Sequence, residues 1–449
     1  MNVFTILSDI LKFEREFIIF ALLVFSKVLS MESRYVPSEG EGGGGGSSPF
    51  ARIVVLLAYA TEGICLLLMI CRPKSTLRAF VRDPFVWGLM GTALLSFIWS
   101  DFPNQSRNRS ISTLLTALVG LYIASRFSPQ EQLRVVGDGM GVISVFCFVY
   151  TGIFPGAGRE AGIHAGAWRG PLVHKNLLSQ LATCACIPTL LAALDSKPKE
   201  RWRTWTYFIL AFLLVLLSTS KTGLIISLNL IMLVPLLKFM RLKSGVVIPL
   251  VLTLVLIGSS GITWLANNWD SFLYGLGKDP TLSGRTDVWD AAIYKIKQRP
   301  WFGYGYQAFW ERTGGAEYIW TAVRYQASHA HNGFVNIALD LGLVGLFFFV
   351  VSILTLYIRG IAWLRMGDSY AEMWPILYAS FLLLYNQTES TIIEHNSIFW
   401  VLHVAATLSI GYYRKLTPEE RAMRESRRQG KLDLQIPKAI KSSGMSYEK

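Results

Sequence analysis

The residues able to move a proton or grip an anion are scattered widely along this sequence. His331 lies in Ser328-His-Ala-His-Asn-Gly-Phe334, where a polar stretch meets an apolar one. An imidazole titrates near neutral pH, so a histidine at such a boundary suits general-base work, although an interfacial hydrogen-bonding role would look the same. Gly342 and Gly345 follow it. On one continuous helix both would project within about 40° of the His331 face, giving a small-residue patch for close packing. Asp340 would then point away, which argues against a direct His–Asp dyad.

Cations form the second group. Arg285, in Ser283-Gly-Arg-Thr-Asp-Val-Trp289, opens a predicted amphipathic helix. A guanidinium beside free helix N–H groups suits phosphate oxygens, and a salt bridge to Asp287 or Asp290 is the plainer reading. Lys221 sits among hydroxyls in Ser218-Thr-Ser-Lys-Thr-Gly-Leu224. Arg159, Arg169, His174 and Lys175 crowd one short stretch, and Arg107 and Arg109 another. Glu389 and Glu394, in the segment Asn386–Asn396, could orient a histidine or bind sugar hydroxyls, or simply be solvated. His329 and His331 make a His-x-His pair, but no carboxylate or cysteine stands at ligand spacing beside them in the sequence. No metal site and no cofactor are expected. The five cysteines fall in or beside apolar segments and imply no disulfide framework.

The elements that must position these groups are membrane helices. Of 449 residues 52% are hydrophobic and only 16% charged, so lipid is the solvent for most of the chain. About twelve apolar stretches approach the length needed to cross a bilayer. They centre on 17–31, 53–70, 85–99, 111–124, 136–154, 172–194, 205–217, 222–237, 245–265, 333–357, 373–385 and 397–413. Strand-like alternation is missing, so the expected fold is all-α, a polytopic helical bundle.

The net charge of +13 sorts by loop. Alternate loops carry Arg72, Lys74, Arg78 and Arg82; Arg126 and Arg134; Lys197, Lys199, Arg201 and Arg203; Lys238, Arg241 and Lys243; and Arg359 with Arg365. This positive-inside pattern places both termini in the cytoplasm and favours a lipid-headgroup anchor over a nucleic-acid arm for the basic tail, 414–449. The first span is expected to be retained rather than cleaved. The expected organisation is nine spans over 1–264, with a flexible Gly-rich external loop at 38–48. A large external loop at 265–331 then folds as an aromatic-rich cap, and three further spans occupy 332–413. The candidate cations lie on the external side, where topology alone would deplete them, so an anionic ligand is expected there.

Three segments together resemble the O-antigen ligase and polysaccharide polymerase superfamily, the WaaL and Wzy type, and within it the proteins of exopolysaccharide polymerisation. They are Lys221-Thr-Gly-Leu-Ile225 in place of the family's Arg-x3-Leu, Arg285-Thr-Asp-Val-Trp289 for Arg-x3-Trp, and His331-Asn332 followed by Gly342-Leu-Val-Gly345. Gly170-Pro-Leu-Val-His-Lys-Asn176, Pro300-Trp-Phe-Gly-Tyr-Gly305 and Asn386-Gln-Thr-Glu-Ser390 are further echoes. The resemblance implies a metal-independent glycosyltransferase bundle of the C type in the bacterial inner membrane, with its active site on the periplasmic side. The donor would be an undecaprenyl-diphosphate-linked oligosaccharide and the acceptor a glycan or lipid core. Lys221 and Arg285 would grip the diphosphate, with Arg169, Arg159 and Lys175 nearby, and His331 would activate the acceptor hydroxyl. Lysine in place of arginine departs from the pattern, because an ammonium lacks the bidentate fork. A transporter or flippase of lipid-linked oligosaccharide is the rival reading, and a non-catalytic scaffold of the export machinery is a third. Weighing against transport, the candidate cations sit at the outer edge and no internal repeat is evident.

Overall fold

A computed structural model describes residues 3–32, 49–241, 285–311 and 313–410. The expected span at 245–265, the Gly-rich loop at 38–48 and the basic tail lie outside the described residues. Among the described residues the fold is all-helical, with a single isolated bridge between Arg159 and Trp168.

The helices are α1 (Val3–Phe25), α2 (Pro49–Ile70), α3 (Pro73–Phe80), α4 (Pro84–Leu95), α5 (Pro103–Arg126), α6 (Pro129–Ile153) and the single turn α7 (Pro155–Gly158). There follow α8 (Lys175–Leu194), α9 (Arg201–Leu217), α10 (Lys221–Phe239), α11 (Arg285–Gln298), α12 (Ala316–Val323), α13 (Gly333–Leu364), α14 (Trp374–Tyr385) and α15 (Ile398–Ser409). Local sequence explains many of the starts. Proline opens α3, α4, α5 and α6, where its missing N–H costs nothing and its fixed φ suits a first turn. Asp83 caps α4, and Ser128 with Glu131 closes a capping box on α6.

Each expected span within the described residues overlaps a helix, although the first helix runs Val3–Phe25 rather than 17–31. Five helices are long and apolar enough to cross a membrane: Phe50–Ile70, Pro129–Ile153, Lys175–Leu194, Lys221–Phe239 and Gly333–Leu364. The others are shorter or more polar, as Pro84–Ile98 and Ile398–Ser409 are. The protein is a membrane protein built around α8, whose apolar face is nearly all buried and which packs against α6, α9, α10 and α14. Other helices leave apolar side chains outward at helical spacing, such as Phe347, Val350, Leu354 and Ile358 on α13 and Leu228 and Met232 on α10. A helix apolar on its outer face has hydrocarbon as its natural surroundings.

The basic loops meet buried acids at one end of the bundle. Glu14 receives both Arg72, at 2.7 Å, and Arg126. Asp138 receives Arg15 and, at 3.3 Å, Arg203, and Glu372 pairs with Arg241 at 2.9 Å. At the other end lie the N-termini of α5, α8, α10 and α13, and there residues 285–330 gather over the helices. An apolar cluster joins that segment to α13: Val288 and Ala292 of α11 group with Phe309, Ile319 and, from α13, Leu339.

The segment is sewn to α13 through a break in the helix. Gly342 has φ 65° and ψ −165°, a conformation essentially closed to other residues, so the intrahelical ladder is interrupted there. The exposed groups find partners in Pro300–Gly305: Leu343 N–H donates to the Pro300 carbonyl at 2.8 Å and Val344 N–H to that of Trp301 at 3.1 Å. In return Tyr304 N–H donates to the Leu339 carbonyl at 2.8 Å and Gly305 N–H to that of Asp340 at 2.9 Å. The expectation of one continuous helical face bearing His331, Gly342 and Gly345 is therefore corrected. His331 precedes the helix, which starts at Gly333 with Asn332 as N-cap, and Gly342 admits the backbone of Trp301 and Phe302 rather than another helix.

Candidate active site

His331 is held from three directions. Its own backbone is left-handed, with φ 49°, which brings its ring to 4.0 Å from that of His329. Its N–H donates to His329 Nδ1 at 3.1 Å. Just before it, the Ala330 carbonyl accepts the indole N–H of Trp289 at 2.8 Å, and Ala330 N–H donates to Asn336 Oδ1 at 3.0 Å. Just after it, Gly333 N–H donates to the carbonyl of Asn386 at 2.8 Å. Asn386 is fully buried, and its Oδ1 accepts Thr391 N–H at 2.7 Å, shaping the loop that carries Glu389. Glu389 thereby stands 3.9 Å from His331 Nδ1.

Arg285 begins α11, and its backbone lies one helical turn from Trp289. The Arg-x3-Trp spacing thus ties the start of that helix to the residue next to His331. The Arg285 side chain lies outside the described residues.

Lys221 is the first residue of α10, exposed, behind the Ser220 N-cap. The turn before it is reached by Lys175, whose Nζ lies 3.4 Å from Thr219 Oγ1. α10 can approach α8 this closely because Gly223 has no side chain, since a Cβ there would lie 1.9 Å from Ser179 Oγ. Beside Ser179 on α8, Gln180 donates to Thr391 Oγ1 at 2.8 Å. The first two turns of α8 therefore touch the Lys221 turn on one side and the Glu389 loop on the other, and bring both groups to one end of the bundle.

The stretch Arg159–Asn176 lies against the same turn, through Trp168 N–H to the Leu217 carbonyl at 2.9 Å. Its members divide. Arg169 is buried, donating Nε to the Ala157 carbonyl at 3.0 Å and a terminal nitrogen to that of Val173 at 3.2 Å, which fixes the loop. Arg159 is exposed and lies 5.7 Å over the Trp168 ring. His174 caps α8, its Nδ1 accepting Asn176 N–H at 3.2 Å. Arg169, His174 and Lys175 gather around Glu160, a buried carboxylate that sequence reasoning missed. It accepts Lys175 N–H at 2.8 Å, with His174 Nε2 at 3.8 Å and Arg169 at 4.0 Å. Its one signal was to be the lone acid in a basic stretch. Arg109 is spoken for by Glu311 at 2.8 Å and the Gln307 carbonyl, and Arg107 reaches Asn104 at 3.4 Å.

Two further features escape sequence spacing. His329, His331 and Glu389 offer ligand atoms all within 4.8 Å of one another, a group that could hold a metal ion. The carboxylate missing from the sequence neighbourhood is supplied by the fold. Glu394 and His395 line a cavity beside this group. Burial raises the Glu394 carboxyl, and burial followed by the nearby Lys27 and Arg109 charges pushes the His395 imidazole down to about 4.

Comparison with known proteins bears on this end of the molecule. The family model described as O-antigen ligase matches residues 206–350. A stretch of 96 residues is 34% identical to the exopolysaccharide production protein ExoQ of Rhizobium meliloti (strain 1021), covering 20% of this chain. The matched stretch spans 22% of that relative's length. Lys221, Arg285, His331 and Gly342 all fall within the stretch 206–350 that is similar to the O-antigen ligase family model.

Proposed function

We propose that this protein transfers a glycan from undecaprenyl diphosphate to a sugar hydroxyl at the periplasmic face of the bacterial inner membrane, lengthening an exopolysaccharide. The observation that carries the reading is the convergence, through the first two turns of α8, of the Lys175–Lys221 turn with the His331–Glu389 pair. His331 takes the proton of the acceptor hydroxyl while Glu389 orients the ring. The acceptor oxygen attacks the anomeric carbon as its bond to the diphosphate breaks, and the lipid diphosphate leaves with its negative charge. Lys221, Lys175 and Arg285 receive that charge, helped by the N-termini of α8 and α10. The imidazolium then returns its proton to water. Polymerisation is preferred to ligation because the Asn386–Ser390 motif, which resembles exopolysaccharide proteins, builds the loop presenting Glu389.

The reaction is proposed to need no metal, with fixed cations in the place of a divalent ion. Purified protein in proteoliposomes, given lipid-diphosphate oligosaccharide and a strong chelator, should release free lipid diphosphate and longer glycan together. His331→Ala should abolish both while remaining in the membrane. Normal product from that variant would overturn the assigned base, and loss of wild-type activity in chelator, restored by zinc, would overturn metal independence and turn attention to the His329–His331–Glu389 group.

A further inference from the structure

A cavity of about 510 Å³ opens beside His329 and Gly333, lined among others by Trp310, Asn336, Ser390 and Glu394, and by neither Lys175 nor Lys221. Its size falls in the range of roughly 300–1,000 Å³ typical of ligand sites, room enough for a short oligosaccharide. Its chemistry is not that of a lipid tail. Hydroxyls, amides and carboxylates are too frequent for an acyl chain. Its charges are of both signs, Lys27 and Arg109 beside Glu311, Asp340 and Glu394, with Arg109 already paired with Glu311, a mixture rather than the all-cationic lining a diphosphate calls for.

A sugar is the ligand that wants this mixture, because it carries a rim of hydroxyls around apolar C–H faces. Trp310 is built as a platform for such a face. Its indole N–H donates to Asn336 Oδ1 at 3.2 Å, so the polar edge is satisfied, and Phe309 meets the ring edge-on at 5.2 Å and holds its plane. The same Asn336 oxygen accepts Ala330 N–H, so the platform and the residue preceding His331 are tied to one atom.

We propose that this cavity binds the hydroxyl-bearing terminal sugars of the acceptor glycan, with Trp310 stacking against a sugar ring and the carboxylates and serines engaging its hydroxyls. The inference rests on the proposed transferase reading and adds to it the identity of the acceptor: a polar oligosaccharide end rather than a lipid core. It also assigns Trp310 as a specificity-determining residue.

The test uses the full chain in proteoliposomes and, as probe, di- and trisaccharide fragments released by mild acid from the producing strain's own exopolysaccharide, free of lipid and phosphate. Equilibrium dialysis should show the fragments binding to wild type, about tenfold or more weakly to Trp310→Ala, and within about threefold of wild type to Trp310→Phe, which keeps a ring face. Binding of inorganic pyrophosphate should be unchanged in all three, which reports an intact fold. In turnover, Trp310→Ala should raise the KM for acceptor fragments and leave that for the lipid-linked donor unchanged. Equal fragment binding by wild type and Trp310→Ala would overturn the inference, as would a rise confined to the donor KM or parallel loss of pyrophosphate binding. Each of these would leave the His331 experiment standing, so the two proposals fail separately.

Discussion

At the scale of single residues, the imidazole at 331 depends on a partner supplied by the fold. Glu389 is remote in sequence, and its loop is set by Asn386, whose backbone carbonyl and side-chain oxygen each hold a different strand of chain. Glu389→Gln should lower kcat by about 10- to 100-fold, the cost of a loosened catalytic group, with little change in the donor KM. Steady-state release of lipid diphosphate would check it, and a pure KM effect would assign Glu389 to binding instead. His331, Lys221 and Arg285 were picked out as candidates because their types are out of place beside apolar segments or in turns expected to be external. Glu389 was visible only as one of two loop carboxylates, since nothing local distinguishes it from Glu394. Glu160 went unrecognised despite being the lone acid in a basic stretch, because a buried acid that organises cations reads in sequence as an ordinary counter-charge. Arg169 was picked out by charge alone, and only the burial of its guanidinium among carbonyls reveals a structural task.

At the scale of elements, the apolar runs marked the helix bodies but not every start: α5 and α6 begin at Pro103 and Pro129, well before the expected 111 and 136. Proline at the first turn and Ser, Asp or Asn at the cap state where a helix begins, and the apolar runs state how far it goes. The break in α13 was not legible, since glycine in an apolar helix is as readily a packing notch as a kink. Its physical basis leads to a definite expectation. A side chain at 342 would put a Cβ 2.3 Å from the Trp301 carbonyl carbon and require a backbone conformation only glycine tolerates. Gly342→Ala should destabilise the protein by roughly 2 kcal/mol or more. It should also free the segment around Pro300–Gly305, which thermal melting in detergent and limited proteolysis would register as a lower midpoint and new cleavage there. An unchanged proteolytic pattern would mean that the reciprocal hydrogen bonds do not hold that segment down.

At the scale of the whole molecule, arginines that charge sorting assigned to one set of loops, Arg72, Arg126 and Arg203, meet the buried acids Glu14 and Asp138. What loop composition could not reveal is how much of the polar machinery at the candidate-site end is buried, and burial has consequences for pH. The His395 imidazole takes up a proton in the folded protein only near pH 4, whereas in the unfolded chain it does so at its ordinary value of 6.5. Between these limits unfolding binds a proton, so stability falls as the solution is acidified from about 6.5 toward 4. Melting midpoints in detergent should therefore drop between pH 7 and pH 5, and His395→Gln should shrink that drop. An equal drop in the variant would place the acid sensitivity elsewhere.

The exchange of hydrogen bonds between Pro300–Gly305 and the interrupted turn of α13 also orders events during synthesis. The stretch that satisfies the interruption leaves the ribosome before the helix that contains it. When the apolar half of α13 enters the bilayer, the partners for its bare amides and carbonyls have already emerged, so a helix with a gap in its ladder can be inserted without carrying unsolvated peptide groups into oil.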